Sequence, residues 1–67
     1  MVLIKDVNYL KKQIYWRGYN LASFSREIGV SRSYLTKIFK IGTISPKNAE
    51  KILVVLNKSF DEFFFIN

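Results

Sequence analysis

Apolar residues recur at intervals of three and four near the start of the chain, at Val7, Leu10 and Ile14, with Ile4 one turn earlier. This spacing gathers them on one side of an α-helix and predicts a first helix over about residues 5–17, opened by Asp6 and ended by Gly18. Tyr15, Trp16 and Tyr19 cluster around that end, where the expected location is the core or its edge. The pattern resumes with Leu21, Phe24 and Ile28 behind Asn20, whose side-chain oxygen suits a helix N-cap. A second helix over about residues 21–28 follows, closed by Gly29, which adopts a left-handed conformation without a Cβ penalty. After Val30, Ser31 caps a third helix over about residues 32–40, with Leu35 and Ile38 inward. Only Gly29, Val30 and Ser31 separate the two helices, so they must turn sharply against each other. That is the geometry of a helix-turn-helix.

Beyond a loop "IGTIS", Ser45 and Pro46 form an N-cap and first-turn pair. They open a fourth helix over about residues 46–57, with Ala49, Ile52, Val55 and Leu56 inward. Ser59 and Glu62 match a capping box and predict a short fifth helix over about residues 60–65. No repeat, linker or low-complexity segment interrupts the chain. The expectation is one all-α domain over residues 1–67, with five helices and no strand.

Composition narrows the function. Hydrophobic residues make up 49% and aromatic residues 16% of the 67, enough for a core in a domain near the lower size limit. With no Cys and no His, disulfides and the usual zinc and transition-metal ligands are missing, so no metal and no cofactor is expected. The common catalytic arrangements need those residues or a Gly-rich phosphate loop, and Gly18, Gly29 and Gly42 are scattered; no enzyme and no catalytic residue is expected. Asp61 and Glu62 are sequence neighbours that do not face each other and serve as favourable charge at a helix start. No apolar run approaches the ~20 residues of a membrane span, and the apolar start is too short for a secretory leader. The expected location is the cytoplasm.

The formal net charge is +6, and its distribution carries more information than its size. Between Ile28 and Ala49 lie Arg32, Lys37, Lys40 and Lys47 without an Asp or Glu. With Leu35 and Ile38 buried, helical spacing puts Arg32, Ser33, Thr36, Lys37 and Lys40 largely on the opposite side of the third helix. Arg32 and Ser33 occupy its first turn, the end that a recognition helix inserts into the major groove. Arginine matches guanine O6 and N7 in bidentate fashion, and serine and threonine contact base edges more permissively. Arg32, Ser33, Thr36 and Lys37 are therefore the candidate base-reading residues. Lys40 is placed for a phosphate, and Tyr34 either packs beneath the helix or hydrogen-bonds a phosphate. Helix N-termini attract phosphates, which adds Asn20 at the second helix and Ser45, Lys47 and Asn48 at the fourth as candidate backbone clamps.

The run "NLASFSREIGVSRSYLTKI", followed by "ISPKNAEKILVVL" and "FDEFF", resembles the lambda-repressor-like (Cro/CI-type) helix-turn-helix domain over residues 7–64. The resemblance rests on the joint spacing of Phe24, Ile28, Gly29, Val30, Ser31, Leu35, Ile38, Pro46, Ile52, Leu56 and Phe63. It implies a compact five-helix domain that binds double-stranded operator DNA as a homodimer on an inverted repeat. A transcriptional repressor, often of a phage or mobile element, is the implied role. The family commonly opens its second helix with a polar phosphate-holding residue. Leu21 stands there here, which leaves that contact to Asn20 or Ser23. Ser25 replaces a usual alanine at the close approach of the two helices, and Phe39 replaces a usual acidic residue late in the third helix, which suggests either extra packing or an exposed contact surface.

Phe63, Phe64 and Phe65 are consecutive, and one narrow helix face cannot bury all three. Phe64, Phe65 and Phe39 are thus candidates for a dimer surface, against the alternative that the C-terminal aromatics tuck into the core. With the sequence ending at Asn67, self-association is expected to use the helical domain itself. The competing function is a protein-binding module, such as an antitoxin or anti-repressor, whose aromatic C-terminus holds a protein partner.

Overall fold

Side chains that accept hydrogen bonds from unpaired first-turn N–H groups fix where most of the helices begin. The computed structural model describes residues 1–67. Its elements in chain order are β1 (Val2–Ile4), α1 (Val7–Trp16), α2 (Leu21–Ile28), α3 (Arg32–Ile41), β2 (Thr43–Ile44), α4 (Pro46–Leu56), α5 (Phe60–Phe63) and β3 (Phe64–Ile66). Asp6 accepts from the Tyr9 N–H at 3.1 Å, Ser31 from Tyr34 at 3.0 Å and Ser45 from Asn48 at 3.3 Å. Architecture is predominantly helical, with the five expected helices.

Two local expectations change. Ser59 makes no side-chain cap bond: the Glu62 N–H donates to the Ser59 carbonyl at 3.2 Å, and the Glu62 carboxylate accepts from the Tyr9 hydroxyl at 2.6 Å and pairs with Lys58 at 3.5 Å. The capping box sits instead on α2. There the Asn20 side chain accepts from the Ser23 N–H at 2.8 Å, and Ser23 Oγ accepts from the Asn20 N–H at 2.9 Å.

The larger difference is a three-stranded antiparallel sheet in the order β2-β1-β3. Ile4, expected to extend the first helix stripe, ends β1 instead. The fifth helix stops at Phe63, and the next three residues become a strand. Register pairs Val2 with Ile44 and Ile66, Leu3 with Thr43 and Phe65, and Ile4 with Phe64. Alternation then turns Val2, Ile4, Ile44 and Phe64 inward, and all four are buried. Leu3, Thr43 and Phe65 form a row on the outer face.

This strand geometry resolves the run of phenylalanines. Phe63 closes α5 inside the core, Phe64 turns inward from β3 with no exposed surface, and Phe65 alternates outward at 44% exposure. Phe39 is also buried, with the Lys11 ammonium 5.4 Å from its ring centroid. Of the three expected dimer-surface residues, Phe39 and Phe64 therefore belong to the core, and Phe65 alone remains at the surface. The core itself joins the sheet to Leu10 and Ile14 of α1, Phe24 and Ile28 of α2, Leu35 and Ile38 of α3, and Ala49, Ile52 and Leu56 of α4.

Candidate nucleic-acid interface

The turn between α2 and α3 is built from backbone hydrogen bonds and one left-handed residue. Gly29 has φ +76°, and the Gly29 and Val30 N–H groups bond back to the carbonyls of Arg26 and Ser25 at 3.2 and 2.9 Å. Ser25 is buried where the helices cross, and its hydroxyl donates to the Ala22 carbonyl at 2.7 Å, so no polar atom is left unpaired there. α3 is thereby held by its Leu35, Ile38 and Phe39 side, and its opposite side faces outward.

Arg32, Ser33, Thr36, Lys37 and Lys40 are all exposed on that outward side. The molecule's one ion pair joins Lys58 to Glu62, so the three cations of this face have no carboxylate partner. The Thr36 hydroxyl donates to the Arg32 carbonyl at 3.2 Å. Thr36 thus offers a ligand its methyl group and an acceptor oxygen, while Arg32 and Lys37 supply donors.

The flanks differ in how much polar capacity they leave free. On one side, Tyr34 is half-buried, and its oxygen accepts from the Asn48 amide at 2.8 Å. That bond ties α3 to the first turn of α4 and spends one amide proton of Asn48, while the phenol proton of Tyr34 stays free. Ser45 uses its oxygen as the α4 cap, and Lys47 beside it is exposed. On the other side, the Ser23 hydroxyl accepts from the Asn20 N–H and also donates to the Asn20 carbonyl at 3.2 Å. The side-chain amide of Asn20 and the first-turn N–H groups of Leu21 and Ala22 are left to meet an anion there.

The aromatic group at the end of α1 departs from the sequence expectation. Tyr19 is half-buried and packs edge-on against Phe24, with centroids 5.4 Å apart. Tyr15 and Trp16 are instead exposed, at 49% and 80%. Tyr15 shares a shallow concavity with Asn20, Leu21, Ala22 and Arg32. Sequence patterning gave no sign of this, because helical spacing next to Ile14 does not tell core edge from open surface. Acidic residues lie off the α3 face: Glu27 is the single acid between Val7 and Ala49, and it lines a groove with Glu50, Lys51 and the flank residue Lys47.

One group has a displaced pKa. The Glu62 carboxylate, as acceptor of its hydroxyl proton, holds the Tyr9 phenol above its ordinary value, with partial desolvation and the carboxylate charge acting in the same sense. No cluster of three or more Asp, Glu, His or Cys side chains is arranged to hold a metal ion. No helix is long and apolar enough to cross a membrane.

Compared with known families, the chain matches the family described as Helix-turn-helix over residues 10–63, a span that includes α2, the turn and the whole of α3. No curated protein and no solved structure matches it.

Proposed function

Because the chain belongs to the lambda-repressor-like helix-turn-helix family of DNA-binding regulators, we propose that it is a sequence-specific repressor that binds double-stranded DNA as a homodimer. The observation that carries this reading is the outward face of α3, where Arg32, Ser33, Thr36, Lys37 and Lys40 are exposed together without a neutralising acid. Arg32 and Ser33 in the first turn enter the major groove deepest, Arg32 reading guanine, with Thr36 and Lys37 contacting the neighbouring base pairs. Lys40 meets a phosphate. The two flanks hold the backbone on either side: Asn20 with the first turn of α2, and Lys47, the free phenol proton of Tyr34 and the remaining Asn48 amide proton at α4. Transcription is repressed by occupancy of an operator, in the cytoplasm and on the nucleoid.

Dimerisation uses β3. It is an edge strand of the sheet, carries no charge or proline, and exposes Phe65 and Ile66. Antiparallel pairing of two such edges is self-complementary and generates a two-fold axis, which an inverted repeat mirrors. The same exposed edge supports the second reading, in which β3 receives an added strand from a different protein, as for an antitoxin or anti-repressor.

Charge reversal tests the DNA reading. Lys37→Glu and Lys40→Glu should each abolish duplex retention at moderate salt, whereas Lys58→Glu, remote in sequence and already paired, should leave most of it. Equal losses for all three would mean that total charge, and not the α3 face, binds the duplex. Phe65→Lys should sediment as a folded monomer; a variant that stays dimeric would move the interface away from β3.

A further inference from the structure

Trp16 is the only tryptophan of the chain and is 80% exposed, with Tyr15 beside it at 49%. An indole offers on the order of 200 Å² of largely apolar surface, and a small domain gains nothing for its own stability by leaving it in water. The structure gives Trp16 no packing role: the core side of α1 is filled by Leu10 and Ile14, and the next residue, Arg17, donates to the Leu56 carbonyl at the end of α4. Tyr15 lines the concavity that also contains Arg32 and Asn20, so Tyr15 borders the recognition surface directly, and Trp16 is the next residue along the helix.

We propose that Tyr15 and Trp16 form an additional DNA-contacting wall, lying against the sugar–phosphate backbone beside the groove that Arg32 enters. This rests on the DNA-binding reading above and extends the contact surface to α1. Charge decides for this occupant over a protein. Lys12 lies one turn before Trp16, no acid occurs between Val7 and Arg26, and Glu27 is at the far end of α2, about 9 Å from its first turn. Both side chains suit a backbone: the phenol and the indole N–H donate to phosphate oxygens while their ring bodies lie on deoxyribose. Such contacts hold the protein in register and do not read bases.

Duplex binding is measured by the anisotropy of a fluorescein-labelled, random-sequence duplex of about two helical turns, which does not depend on the tryptophan. In parallel, quenching of the single indole by acrylamide is followed in free and duplex-saturated protein. The quenching slope should fall about threefold or more in the complex. Trp16→Ala should weaken binding about fivefold to tenfold on selected and random duplexes alike, the scale of one ordinary hydrogen bond. A complex that forms while the indole stays as accessible as in free protein overturns the proposal and leaves the DNA-binding reading intact. Failure of the duplex to bind at all overturns both.

Discussion

Phe64 and Phe65 are chemically identical neighbours, and the strand places them in opposite environments, so truncating each in turn measures the fold at its least expected point. Phe64 has no exposed surface and meets Phe60 and Phe63 with ring centroids 5.6 and 6.0 Å away. Phe64→Ala removes a fully buried ring and should cost about 3–5 kcal/mol. A chain of this length has a total stability of roughly 3–10 kcal/mol. Most of the folded population is therefore at risk. Phe65 is 44% exposed on the outer face of the sheet, and Phe65→Ala should cost about 1 kcal/mol. Urea unfolding followed by far-ultraviolet circular dichroism separates the two. With a slope of about 1 kcal/mol per molar urea, Phe65→Ala should move the midpoint by about 1 M, while Phe64→Ala should show little or no native baseline. In protein dilute enough to be monomeric, equal losses, or a larger one at Phe65, would refute the inward and outward alternation.

Three further outcomes follow from particular contacts. Arg32→Ala should cost about 1–3 kcal/mol of DNA binding and relax preference at one base pair, whereas Lys40→Ala should weaken all duplexes alike and lower the salt slope by about one unit, as read by anisotropy over a salt series. Gly29→Ala should destabilise the fold by about 1–2 kcal/mol in thermal or urea unfolding; a Cβ there meets no atom within 4 Å, so the cost is that of a left-handed residue alone. The Tyr9 phenol titrates higher in the folded chain than in the unfolded one, so its bond to Glu62 stabilises fully below the unfolded value and is lost as pH rises through the folded value. Unfolding curves collected into the alkaline range should show that loss in the wild type, and Tyr9→Phe should lessen it.

The helical part of the fold was legible because its signals are local. Asn20, Ser31 and the Ser45–Pro46 pair announce the starts of α2, α3 and α4 in single side chains, and Gly29 marks the turn by its backbone freedom. The sheet was not legible. Strands of two and three residues are too short to display alternation, and β1 finds its partners about 40 and 60 residues away in sequence. Without β3, the helical spacing could not explain three consecutive phenylalanines. Pairing to β1 splits them between the core and the surface.

The basic face of α3 was equally readable, since Leu35 and Ile38 fix its buried side and helical geometry fixes the rest. What escaped were contacts between distant elements. The bond from Asn48 to Tyr34, the cover of Lys11 over Phe39, and the closing of Ser23 onto Asn20 each change which polar groups remain available. The exposure of Tyr15 and Trp16 escaped for the same reason: it depends on what the rest of the chain leaves uncovered.

In the function proposed above, the outward face of α3 reads DNA sequence in a two-fold arrangement. Selection from a random duplex pool at moderate salt, with sequencing of the retained fraction, tests it most directly. The expected outcome is enrichment of an inverted repeat whose half-sites lie about one helical turn apart. Retention without any enriched sequence, lost uniformly as salt is raised, would contradict it and reduce the face to a non-specific anchor.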